Sequence, residues 1–188
     1  MSFLNKLVKL IGRRFIAYVI DWYIGGIFIN IPIVLIYGCV FNQTQMQTNL
    51  LEISKESLLV AYLAGIAGVV FGIFYFFIIP FFIWPGQTLG KRILKIKIIN
   101  NNGQDISFFS LFLRQIIGLT VLEGVIISLT GTIRQLFDLL FHTSIFTSSN
   151  LMIFAYVLSF ISCLFVLIKG RALHDFIAST RIEYLKSS

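Results

Sequence analysis

The chain has 188 residues, 57% of them hydrophobic and only 12% charged, with twenty phenylalanines and a net charge of +7. That charged share is about half of what an ordinary soluble domain carries. It excludes a globule facing water on all sides, and the length allows one domain, so 1–188 reads as a single unit whose main solvent is lipid.

In chain order, Lys6, Lys9, Arg13 and Arg14 precede a first apolar run over 15–41, interrupted by Asp21 and Asn30. A second run, 58–84, holds no charge; a third, 108–129, carries Arg114 and Glu123; a fourth covers 151–168. Each reaches the ~18 apolar residues that a bilayer crossing requires. Lys91, Arg92, Lys95 and Lys97 lie between the second and third runs, and Lys169, Arg171, Arg181 and Lys186 follow the fourth. Four crossings put all of these basic residues on one side, whereas three or five would split them. The positive-inside rule then predicts an all-α membrane protein, a four-transmembrane-helix bundle with cytoplasmic N and C termini. The net charge is read as topology and attraction to anionic lipid. The lipid bilayer is therefore the expected surrounding, and no nucleic-acid partner is expected. Nor is a cleaved leader, because Asp21 breaks the apolar core and Tyr37 is bulky in "IYGC" (Ile36–Cys39).

Arg14 and Asp21, seven apart, share one helix face, with Asp21 about 10 Å deeper. Ser107 is a plausible N-cap for the third span, and Arg114, seven residues on, reaches the same depth. Asp21 and Arg114 are accordingly predicted to pair inside the membrane, as a packing device or as part of a transport path. Glu123 faces either an outward cavity or the outer headgroups. In the second span Ala64, Gly68 and Gly72 recur every four residues, as do Ala61 and Gly65. Such rows let helix backbones approach closely, within the chain or across a homodimer through Gly65, Gly68 and Gly72. Pro32 and Pro80 are expected to bend their helices, with neighbours satisfying the freed carbonyls.

The stretch "WPGQTLGKRILKIKIINNNGQ" (Trp84–Gln104) has the look of a phosphate-binding loop. It fails that test: three residues, not four, separate Gly86 from Gly90, and Arg92 follows Lys91 where Ser or Thr is needed. Lys95–Ile98 alternates as a strand does, Asn102-Gly103 marks a tight turn, and Gln104–Ile106 suffices for a short return strand. Thr180–Leu185 alternates too. A small cytoplasmic β element is predicted, with Gly86 and Gly90 serving a tight exit from the second span. Further on, Arg134, Asp138 and His142 recur every four residues opposite Phe137, Leu140 and Phe141. This predicts an amphipathic helix on the outer surface with a solvated polar face. Cys39 and Cys163 have no disulfide or metal-ligand spacing and are assigned to packing. No metal and no cofactor are expected.

Three separated motifs, in this order and topology, resemble those of the RDD family of membrane proteins. Arg14-Phe15-Ile16-Ala17-Tyr18-Val19-Ile20-Asp21 is similar to the family's Arg-x-x-Ala-x-x-x-Asp opening. Gly86-Gln87-Thr88-Leu89-Gly90-Lys91-Arg92, with the strand and turn after it, resembles the middle loop. Arg171-Ala172-Leu173-His174-Asp175, followed by Ala178 and Thr180, resembles the closing segment, and Arg114 matches an arginine usual early in the next span. Ser179 departs from the usual glycine, and Ile133–Asn150 matches no motif. The resemblance implies a bacterial plasma-membrane protein of a largely uncharacterised family described as candidate transporters. Arg14, Asp21, Lys91, Arg92, Arg114 and Asp175 carry over as signature positions without assigned chemistry, expected to form a cytoplasmic-face cluster linking the termini to the middle loop.

Two functions follow as expectations. One is transport of a small cation, proton or solute along a path touching Asp21 and Glu123. The absence of a visible inverted repeat weighs against a repeat-built carrier. The other is a non-transporting membrane assembly or stress-response partner protein, its own partners unnamed. An enzyme is not expected, because no nucleophile–base set, carboxylate dyad or metal-ligand cluster is visible.

Overall fold

The structure, a computed structural model, describes residues 3–115 and 128–185, with the side chains of 3–7 left out. It is mostly helical: α1 (Phe3–Phe41), α2 (Leu50–Glu56), α3 (Leu58–Ile73) running on as a π-helix over Phe74–Ile83, α4 (Leu89–Ile93), α5 (Phe108–Phe112), α6 (Ser128–Phe141), α7 (Ser149–Lys169) and α8 (Leu173–Ile177). Two strands, β1 (Ile96–Asn100) and β2 (Thr180–Tyr184), complete it. Three helices among the described residues are long and apolar enough to cross a membrane: Val8–Phe41, Leu58–Ile83 and Ser149–Lys169. The predicted third span starts at α5 as expected, with the Ser107 hydroxyl accepting from Ser110 N at 3.2 Å. Most of the rest of that span, Glu123 included, lies outside the described residues.

The small residues of α3 explain its packing. A Cβ on Gly65 would lie 2.6 Å from side-chain carbons of Leu136 and Leu50, one on Gly68 would lie 3.1 Å from the Ile29 carbonyl oxygen, and one on Gly72 would meet Leu129. The glycine rows thus admit α1, α2 and α6 of the same chain, as close helix contacts require. Helices of the same chain thus occupy the face at Gly65, Gly68 and Gly72. Ile29, Ile33, Leu50, Ile53 and Ala64 form the dry centre of this half. The short helix α2 was not anticipated, yet Asn49 followed three residues later by Glu52 is an N-terminal signature, and Asn49 Oδ1 accepts from Leu51 N at 3.0 Å.

Pro80 lacks an N–H, which frees the carbonyl four residues before it. There the helix widens to π geometry, and Gln115 Nε2 donates to that Phe76 carbonyl at 2.9 Å. The expected repair by a neighbouring segment is therefore present. Pro32 sits inside an uninterrupted α1.

Two expectations are reversed. In α6 the polar residues Arg134 and Asp138 are buried, while Phe137, Leu140 and Phe141 are exposed. The Phe137, Leu140 and Phe141 side points away from the protein, while Leu129, Leu136 and Leu139 pack inward and the segment that follows holds Asp138 against the chain. Thr143 Oγ1, Phe146 N and Thr147 N all donate to the Asp138 carboxylate, at 3.0, 2.9 and 2.8 Å. His142 is exposed and shares no metal-ligating group with Asp138 among the described residues. Cys39 and Cys163, assigned to packing, are both free and exposed on their helices.

The predicted β element forms differently from a local hairpin. β1 pairs antiparallel with β2, Ile98 opposite Ile182, so the middle loop and the C-terminal segment share one sheet. The anticipated return strand is a single bridge between Ile99 and Asp105. The turn before it is as expected: Gly103 has φ +83° and donates to Asn100 O at 3.0 Å.

Candidate functional site: two buried carboxylates at one end of the bundle

The first carboxylate is Asp21 on α1, 3% exposed. It is met by α4, and two glycines allow the approach. At the exit from the π-helix, Gly86 has φ +74° and accepts from Ile98 N at 2.8 Å, which folds the chain back on β1. Gly90 then lies so near α1 that a Cβ would stand 2.4 Å from the Ala17 carbonyl oxygen. Its bare backbone brings the Gly90 N–H to 2.8 Å from Asp21 Oδ1. Tyr75 donates its hydroxyl to the same oxygen at 2.8 Å. Oδ2 accepts from the Thr88 hydroxyl and from Lys91 Nζ at 3.1 Å. Lys91 also donates to Thr88 Oγ1 at 2.9 Å. Burial pulls the Lys91 ammonium below its usual pKa; the Asp21 carboxylate opposes this, and the Arg114 and Arg14 charges add to it.

The second carboxylate is Asp175, fully buried at the N-terminal turn of α8. It reaches back to its own cap, accepting from Ala172 N at 2.9 Å. Arg14 Nη2 donates to Oδ2 at 2.6 Å and Arg114 Nη1 donates to Oδ1. Arg114 also donates to Thr180 Oγ1 at 2.9 Å and approaches His174 Nε2 at 3.1 Å. Burial alone would raise the Asp175 pKa; Arg114 first among the charges, and Arg14 as well, overcome it and hold the carboxyl well below the usual range. Arg14 also donates to the Gly170 carbonyl at 2.6 Å. It thus places a cation on the C-terminal end of α7, where the helix dipole favours one.

The expected cluster of Arg14, Asp21, Lys91, Arg114 and Asp175 is therefore assembled, but with different partners. Asp21 pairs with Lys91, and Arg114 pairs with Asp175, in place of the Asp21–Arg114 pair expected from equal depth. Depth along a helix says nothing about which neighbour faces it, and here α4 and α8 each deliver a partner. Arg92 stands apart: it is exposed and lies over the Trp84 ring, 4.4 Å from its centroid. Tyr75, Thr88, His174 and Thr180 were not singled out as site residues. Three of them lie inside or beside the quoted motifs; Tyr75, within a run of aromatics, carried no signal.

Long apolar helices with ionisable groups gathered at one end define a helical membrane protein. The chain belongs to the RDD family, whose family model matches residues 8–179. No curated protein and no solved structure matches it.

Proposed function

We propose that this protein moves a small monovalent cation across the membrane in exchange for protons, using Asp21 in a four-crossing bundle with both termini cytoplasmic. The observation that carries this reading is the Asp21–Lys91 pair: a buried carboxylate neutralised by an ammonium whose pKa burial has lowered. When Lys91 releases its proton, Asp21 keeps a negative charge with no ionic partner from Lys91. A cation taking that place restores neutrality, and reprotonation of Lys91 expels it. The Thr88 and Tyr75 oxygens beside the carboxylate supply the oxygen donors that hard cations prefer.

Flux in proteoliposomes under imposed sodium, potassium and pH gradients tests this. The parent is expected to show cation-driven proton movement that rises with pH, as Lys91 deprotonates more readily. Asp21→Asn is expected to abolish it. Lys91→Arg is expected to abolish it too, because arginine does not give up its proton. Undiminished flux in Lys91→Arg would overturn the exchange.

One observation favours a second reading. Both carboxylates accept from protein donors on several sides, as latches do, and a latched bundle suits a non-transporting assembly or stress-response partner. That reading calls for no flux of any of these ions and a protein that co-purifies.

A further inference from the structure

At the other end of the bundle, the geometry points to an oxyanion site formed by Arg134 and Thr130 of α6, taking a phosphate group from a lipid headgroup or from solution. Arg134 is 8% exposed. Among the described residues its acceptor is the thioether of Met152, 3.0 Å from Nη1, and no carboxylate pairs with it. Asp138, one turn further along the same face, is committed elsewhere. Its oxygens accept from the Thr143 and Thr147 hydroxyls and from the Phe146 and Thr147 backbone N–H groups.

A guanidinium carries five donors, and a buried charge without a counter-charge is strongly unfavourable. One weak sulfur acceptor, with the Tyr156 phenol the other group that acts on its charge, leaves most of that requirement open. Thr130, one turn before Arg134, is 2% exposed, and its Oγ1 is buried without a hydrogen-bond partner among the described residues. Residues four apart on a helix have Cβ atoms about 6 Å apart, so the unused hydroxyl and the unused fork lie along one stripe. Two independent deficits of acceptors therefore coincide, and both are cured by one group rich in acceptor oxygens. A planar fork with a nearby hydroxyl suits phosphate better than a spherical halide, since two parallel N–H groups engage two oxygens.

The location fits either source. Arg134 neighbours the first turn of α7 through Met152. Leu136 and Leu139 of α6 pack by Leu50 of α2 and the Tyr62 hydroxyl near the start of α3. Leu136, Leu50, Tyr62 and Met152 lie toward the end opposite Asp21 and Asp175, while Leu129, beside Thr130, reaches Gly72 midway along the bundle. Beside the site, exposed Phe137, Leu140 and Phe141 offer a surface for acyl chains.

The test uses the purified full-length chain in detergent. Binding of inorganic phosphate is followed by thermal shift against chloride at matched ionic strength. Binding of lipid is followed by native mass spectrometry from micelles doped with phosphatidylglycerol or with diacylglycerol, which lacks the phosphate. The parent is expected to bind in at least one arm: inorganic phosphate if the source is soluble, phosphatidylglycerol but not diacylglycerol if it is lipid. Arg134→Met is expected to weaken that binding by about tenfold or more, the loss of charge-assisted hydrogen bonds. Without phosphate it should be at least as stable as the parent, because it removes an unpaired buried charge. Thr130→Val, which keeps the arginine, is expected to give a smaller loss and carries the test if the methionine variant does not fold. Binding in neither arm, or equal binding by the parent and both variants, would overturn the site.

Discussion

Asp175→Asn is expected to lower the stability of the detergent-solubilised chain by about 3–5 kcal/mol, the usual consequence of removing one partner from a buried ionic network. The amide would leave Arg14 and Arg114, 9% and 3% exposed in their side chains, without their shared carboxylate. The loss is also topological. Asp175 is where α1, the segment after α5 and the C-terminal segment meet, and α8 and β2 follow α7 directly in the chain. Denaturant unfolding measures the difference, and limited proteolysis of the C-terminal segment should accelerate in parallel. The pH dependence has a definite sign. The folded pKa of Asp175 is depressed, so its contribution is fully present above the unfolded carboxylate value of about 3.9 and is lost as pH falls through the folded value. The gap between parent and variant should stay constant from neutral pH down to about 3.9 and close progressively below it. A gap that closes between pH 7 and 5 would mean that the carboxylate is not held as described.

Gly90→Ala should be nearly as damaging, for a steric reason. The added Cβ would stand 2.4 Å from the Ala17 carbonyl oxygen and 2.9 Å from Asp21 Oδ1. The first obstacle is backbone and cannot rotate aside, so α4 must move off α1. Overpacking of this kind costs about 1–3 kcal/mol, and here it also stretches the Gly90 N–H bond to Asp21. Lys91, the next residue, is carried away with it. Gly12→Ala is the matched control: it lies in the same α1, and its Cβ would meet nothing within 4 Å. In a helix interior that change is expected to be neutral or to stabilise by up to about 1 kcal/mol. Equal melting temperatures for the Gly90 and Gly12 variants would show that α4 does not press on α1.

Several features were legible before any coordinates because they depend on neighbours in sequence. The apolar runs containing α1, α3 and α7 are lengths of side-chain chemistry. The cap at Ser107, the turn at Asn102-Gly103 and the alternation in β1 and β2 are local preferences read over a few residues. The rows of Gly65, Gly68 and Gly72 announced close packing, although not against which helix. The gathering of Arg14, Asp21, Lys91, Arg114 and Asp175 was expected from the four-crossing reading, in which charges on one side of a thin slab have few places to go.

Partnership was another matter. Helical rise places Asp21 and Arg114 at similar depth, but rotation about each helix axis and the arrival of α4 and α8 decide what each one touches. A bare Gly90 gives Asp21 a backbone donor and Lys91, while the return of the C-terminal segment gives Arg114 its aspartate. The same holds for α6. Its period separates a polar face from an apolar one, and nothing local says which face meets lipid. The loop at Thr143–Thr147 turns Asp138 inward, and Arg134 goes with it. By itself the sequence determined which long apolar segments are helical, which charged residues interrupt them and the family to which they belong, because each is a property of composition and short spacing. The tertiary structure alone decided which carboxylate meets which cation, because that depends on contacts between residues tens of positions apart.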